Sequence, residues 1–180
     1  MEWSLIRECR GGSTSSFEPL VRDHQRRALA VAEALLGNTE DAADAVQDAF
    51  VNAFRALGRL REGSAFGPWF RSIVRSQCRG RVRAARPTVG WSEIDAGETA
   101  VPPAALLAVE REELADAVRA ALRTISPEHR EILVLKEIEG MSYAEIAEAM
   151  TIPPGTVASR LHHARAALKR ALGAMEGGRP

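Results

Sequence analysis

Between Gly155 and Leu172 the sequence holds Arg160, Arg165, Lys169 and Arg170 and no Asp or Glu, in a chain whose 24 basic and 24 acidic residues balance. At about 100° per residue, Val157, Leu161, Ala164, Leu168 and Leu172 fall on one narrow apolar stripe. The opposite side presents Ala158, Ser159, His162, His163, Ala166, Lys169 and Arg170, flanked by Arg160 and Arg165. A cationic face without acids suits a polyanion. The small residues at its start, Gly155, Thr156, Ala158 and Ser159, permit close approach, and the positive end of the helix dipole favours phosphate. The Lys and Arg further along can hold backbone phosphates, which sets affinity rather than base choice.

A solvated basic face on an ordinary helical hairpin is the plainer reading. The segment in front argues against it. Ser142-Tyr143-Ala144-Glu145 is a capping box, in which each side chain satisfies an orphan backbone donor. A short helix follows, and then the turn Thr151-Ile152-Pro153-Pro154-Gly155. Two short helices, a tight turn and a basic second helix form a helix-turn-helix pattern, which places the start of the second helix in a major groove.

Charge is blocked along the whole chain. Phe17 to Asn52 carries seven acids and three bases; Arg61 to Pro87 carries seven Arg and one Glu; Thr88 to Ala108 has three acids and no base. In the second block Arg71, Arg75, Arg79 and Arg83 recur every four residues and form a basic ridge along one helix. These blocks predict two basic surfaces, an acidic surface and an acidic connector.

Other chemistry is poorly represented. Adjacent histidines such as His162 and His163 point about 100° apart on a helix and have no nearby Cys partner, so they are not read as metal ligands. Cys9 and Cys78 lack any ligand spacing and read as reduced thiols. No Ser/His/Asp set or phosphate-cradling Gly loop stands out, so neither enzyme chemistry nor a cofactor is expected. The N-terminus lacks the apolar core of a signal peptide, and no apolar run approaches the ~20 residues of a membrane span. A soluble, cytoplasmic protein without membrane insertion is expected.

The elements that must hold these residues are helical, and no useful strand is visible. Ser16 and Thr39 are candidate caps for two long helices. Gly37-Asn38 separates them. The second buries Val46, Phe50, Phe54 and Leu57 and turns Asp44, Gln47, Asp48 and Asn52 outward. A loop from Arg61 to Gly67 precedes the basic helix, where Trp69 is read as core. A further helix is expected from near Ala104 to about Arg123. Another opens at Ser126-Pro127 and stops at Gly140. The expectation is an all-α chain of two small helical domains joined by a flexible linker, the second containing the helix-turn-helix. The acidic face near Asp44 and the basic one near Arg165 could attract across that linker.

Two separated segments carry a family resemblance. The first, from Phe17 to Arg83, contains "DAADAVQDAF" and "FGPWFRSI". The second, from Leu122 to Leu172, contains "MSYAEIAEAM" and "PGTVASRLHHARAAL". Together the chain resembles extracytoplasmic-function (ECF) sigma factors, specificity subunits of bacterial RNA polymerase. The resemblance implies sigma domain two over residues 1–87, a linker over 88–108 and sigma domain four over 109–180. It implies that Asp44, Gln47 and Asp48 bind core RNA polymerase. Gly63, Ser64, Phe66, Arg75, Arg79 and Arg83 would meet the minus-ten element. Gly155, Thr156, Ala158, Ser159, Arg160, His162, His163, Arg165 and Lys169 would meet the minus-thirty-five element. Promoter DNA, core polymerase and an anti-sigma factor are the implied partners. Departures at Ala158, His162 and His163 imply a base readout of this chain's own, and those at Gly67-Pro68 and Ser76 imply different details of strand capture. The competing reading is a stand-alone helix-turn-helix regulator with an N-terminal dimerisation or sensor module.

Overall fold

The computed structural model describes residues 2–62, 64–84 and 103–176, with backbone alone for 103–113 and 175–176. Every regular element among them is helical. The N-terminal helices are α1 (Glu2–Arg10), α2 (Glu18–Leu36), α3 (Thr39–Ala56) and α4 (Phe66–Ala84); the C-terminal ones are α5 (Pro103–Thr124), α6 (Pro127–Leu133), α7 (Tyr143–Met150) and α8 (Pro154–Glu176). One turn of π-helix, Val134–Ile138, continues α6.

Small residues let α2, α3 and α4 pack closely. Ala28, Ala32, Ala42, Ala45, Ala49 and Ala53 are all fully buried, and a helix face of alanines brings neighbouring backbones near. Aromatic rings fill the remaining space: Phe50 stacks on Phe70 at 4.2 Å and Phe66 on Phe70 at 5.6 Å. Phe66 and Phe70 are both completely buried; burial of each stabilises the fold by roughly 2–3 kcal/mol. The α1 helix is clamped beneath this bundle by Arg10, whose guanidinium donates to the Leu57 and Leu60 carbonyls.

Local signals set most boundaries, with two corrections. Ser16 does not cap α2. It lies in a 3-10 turn, Ser15–Phe17, and its hydroxyl donates to Glu8 at 2.6 Å. Asn38, not Thr39, caps α3 by accepting from the Asp41 amide at 2.7 Å. The rest follows the pattern. Gly37 closes α2 at φ +82°, and a Cβ there would collide with the Arg123 side chain of α5. Glycine thus serves both the left-handed turn and the approach of a second region. Ser126 caps α6, and Ser142 with Glu145 makes the complete capping box of α7.

The C-terminal helices share a second core. Val157, Leu161 and Ala164 of α8 are buried with Ile132, Leu135 and Ile146, and α8 packs on α5, α6 and α7. The two helical regions also pack on each other, α2 touching α5, α6 and the π turn. Arg130 of α6 is one tie between them. It is 8% exposed and donates to the carbonyls of Leu122, Arg123 and Ile125 in its own region and to Leu35 of α2 at 2.6 Å. Burial lowers its pKa, while guanidinium stays charged at any ordinary pH.

Candidate nucleic-acid interface

The helix-turn-helix geometry rests on one strained residue. The α7 helix ends at Thr151 with φ 54° and ψ 49°, a left-handed conformation unusual for a β-branched residue. The reversal lets the Ile152 amide reach back to Ala147 at 3.0 Å. Pro154 then opens α8. The stripe beginning at Val157 turns inward as the spacing predicts. Gly155, Ala158, Ser159, His162, His163, Arg165, Lys169 and Arg170 are exposed, and Thr156 and Arg160 are half-buried. Arg165 pairs with Glu137 at 2.7 Å, which raises its pKa. A cleft of about 360 Å³ beside α8 is lined by His129, Thr156, Ser159, Arg160, His163 and Arg170. Its lining combines two imidazoles, two guanidiniums and two hydroxyls with no acid. His129 comes from α6, so no spacing within the basic helix could have pointed to it.

The basic ridge of α4 has a different setting. Arg75 is 6% exposed, and its Nη1 lies 2.5 Å from Glu139. Arg71 joins the same carboxylate at 3.2 Å, and Arg79 faces Glu131 at 3.5 Å. Arg83 is exposed at the far end. Burial holds the Glu131 carboxyl above its usual range despite Arg79 and Arg75. A cleft of about 220 Å³ between α4 and α6 contains Cys78, whose buried thiol is pushed up to about 11. The acidic face near Asp44 does not meet the basic face near Arg165: Asp48 pairs with Arg81 of α4 at 2.6 Å, within its own region.

At the start of α4, Arg59, Arg61, Ser64, Ala65, Pro68 and Trp69 line a cleft of about 410 Å³. Gly63 lies outside the described residues. Phe66, expected to meet DNA, does not reach the surface. Its ring packs on Phe17, His24, Trp69 and Phe70, because α4 begins at Phe66 and turns its first side chain into the core. Trp69 is half-buried against Phe66 at 5.7 Å and also lines the cleft.

On α3, Asp44, Gln47 and Asp48 are exposed together. Beside them runs an apolar groove of about 730 Å³ that includes Val21, Leu29, Val46, Gln47, Phe50 and Val51. Val51, 45% exposed, extends the polar face with an apolar edge that an acid count does not reveal.

Residues 20–88 match the family Sigma-70 region 2, and residues 115–168 match Sigma-70, region 4. The RNA polymerase sigma-H factor of Pseudomonas aeruginosa is 32% identical, the alignment covering 93% of this chain and 92% of that one. The ECF RNA polymerase sigma factor SigM of Mycobacterium tuberculosis is 34% identical, over 93% and 82%. The chain belongs to the ECF RNA polymerase sigma factors. A solved structure of CnrH in complex with the cytosolic domain of CnrY superposes with a TM-score of 0.66 at 28% identity, covering 94% of this chain and 96% of that one.

Sigma factors direct RNA polymerase to promoters and start transcription without being enzymes, and this chain does so as one of them. The stand-alone regulator is thereby set aside, since the region 2 match accounts for the N-terminal half. No helix among the described residues of this sigma factor is long and apolar enough to cross a membrane.

Proposed function

We propose a division of labour among three surfaces of this ECF sigma factor. The outer face of α3, with Asp44, Gln47 and Asp48, docks on core RNA polymerase, and the apolar edge at Val51 widens the interface. The cleft at Ser64 and Trp69 and the ridge of Arg75, Arg79 and Arg83 take the single strand of the melted minus-ten element. A small pocket for an extruded base and a cationic track for phosphates are what such capture needs. The face of α8 from Gly155 to Lys169 reads the minus-thirty-five duplex, with His129 added to its phosphate partners. In this reading residues 1–87 form the first unit, 88–108 the connector and 109–180 the second. An anti-sigma partner that covers these surfaces and a cytoplasmic location belong to the same proposal.

The observation that supports it best is the exposure of an acid-free cationic face on a helix whose opposite stripe buries Val157, Leu161 and Ala164. Two weak DNA-binding surfaces on one chain also reinforce each other through effective concentration. The test is binding of the purified protein to core RNA polymerase, followed by transcription from a genomic promoter library. Core binding and start sites that share a two-part upstream motif are expected. Asp48→Ala should weaken core binding without changing duplex affinity; equal loss of both would overturn the assignment of α3.

A further inference from the structure

The π turn at Val134–Ile138 gives the C-terminal helices one wider turn, closed by the Glu139 amide on the Val134 carbonyl at 3.0 Å. Such turns insert a residue into a helix and recur at functional sites. Here two consecutive side chains of the turn reach different helices of the helix-turn-helix. The Lys136 ammonium donates to the Met141 carbonyl at 3.2 Å and lies 5.3 Å from the centre of the Tyr143 ring. Met141 and Tyr143 stand on either side of Ser142, the cap of α7. Glu137 turns to α8 instead. One of its carboxylate oxygens accepts from Nε of Arg165 at 3.2 Å and from Nη2 at 2.7 Å. Arg165 stands at the edge of the inward stripe. At about 100° per residue it lies about 40° from Leu161 and about 120° from Ser159; Leu161 is buried and Ser159 is exposed.

We propose that the π turn is the positioning element of the helix-turn-helix, with Lys136 setting the start of α7 and Glu137 setting the angle of α8 through Arg165. The inference rests on the reading of α8 as the reader of the duplex. It changes the part that Arg165 plays: its guanidinium is a strut to the turn, and the phosphates fall to Lys169 and Arg170. A guanidinium that already donates twice to a carboxylate must give up that partner before it can take a phosphate. Its rigid, planar donors suit holding one geometry. Both ties come from a single turn, so α7 and α8 are set relative to each other as well as to α6. A displacement of about 1 Å is enough to spoil a hydrogen bond to a base edge, while long Lys and Arg side chains still reach phosphates. Losing the strut therefore lowers base discrimination more than general affinity.

The test uses the full-length protein and two labelled duplexes, one selected by the wild-type chain from a randomised pool and one of mixed random sequence. Both are titrated by fluorescence anisotropy across a salt series. Arg165→Ala, Glu137→Ala and Lys136→Met are compared with the charge swap, Glu137→Arg together with Arg165→Glu. Arg165 and Glu137 are each 53% exposed at the side chain, and exposed pairs contribute little to folding stability. Each single variant should lower the ratio of selected to random affinity about threefold and leave the salt slope on the random duplex unchanged. The swap should recover most of the ratio, because the strut works with its charges exchanged. A different pattern follows if Arg165 holds a phosphate. Arg165→Ala then reduces the salt slope by about 1, Glu137→Ala strengthens binding to both duplexes, and the swap binds both more weakly still; that pattern overturns the proposal. So does an unchanged ratio in all three single variants. The reading of α8 fails separately: Lys169→Ala with Arg170→Ala would then leave affinity and slope unchanged on both duplexes.

Discussion

The ridge of α4 and the face of α8 are two helices of similar charge with opposite availability. Each presents a series of cations spaced to share one side. On α8 the inward stripe packs on α5, α6 and α7, and Arg165, Lys169 and Arg170 stay at the surface, Arg165 against an equally exposed Glu137. On α4 the ridge lies against α6 and the π turn, where Glu131 and Glu139 wait. Helix periodicity decides which residues share a side. What that side meets is decided by the neighbour, and a neighbour with acids turns a DNA-facing surface into an internal one.

Breaking the tie between the regions should have the largest effect. Arg130→Ala deletes a buried guanidinium that serves four carbonyls. Charged hydrogen bonds contribute more than neutral ones, and the orphaned carbonyls add their own cost. A loss of about 3 kcal/mol is expected in urea unfolding, together with a larger radius of gyration because Leu35 of α2 is released.

The next effect sharpens the contrast from the open side. Replacing Lys169 and Arg170 by Ala together should weaken promoter-duplex binding on every sequence and reduce the salt slope by about 2, one for each phosphate no longer neutralised. His162→Ala should leave the slope nearly unchanged and alter base preference, read by selection from a randomised duplex pool.

A smaller effect comes from the covered side. Burial raises the folded-state pKa of Glu131 above its ordinary value of 4.5. Above that value the folded chain holds more protons than the unfolded one, so stability falls as pH rises through this window. Glu131→Gln should flatten that fall, measured as urea midpoints between acid and neutral pH. A steeper fall would mean that Arg79 outweighs burial.

The smallest effect lies in the turn that aims α8. Thr151 sits at positive φ, which opposes a β-branched side chain. Thr151→Gly relieves this but loosens the unfolded chain. A net gain of about 0.5 kcal/mol is expected, with duplex affinity unchanged.

How much of this is legible in the sequence depends on how far each interaction reaches along the chain. Ser142 with Glu145 and Ser126 with His129 act over three residues, so their caps can be read directly. The stripe of α8 is legible because burial follows a 3.6-residue period. Thr39 and Asn38 are both good acceptors, and the choice between them turns on where the chain leaves Gly37, which local pattern does not say. Phe66 can meet DNA as long as it belongs to a loop, yet a helix that begins at this residue sends it into the core. The π turn carries no local signature, and the pairs Arg75–Glu139 and Arg79–Glu131 join residues that only the folded chain brings together. Val51 and His129 stay hidden for the same reason: each matters through a neighbour on another helix.

The position of Cys78 has a consequence for time rather than affinity. The residue is 1% exposed in the seam between α4 and α6, and its thiol is held at a pKa of about 11. Only the thiolate reacts with an alkylating reagent, so the packed chain shields this atom twice, by access and by protonation. Each excursion that parts the seam removes both shields at once. The modification rate of Cys78 therefore counts how often the chain comes apart, as amide exchange counts local opening. Cys9, buried in α1 and outside the lining of that seam, runs beside it as a second clock set by a different event.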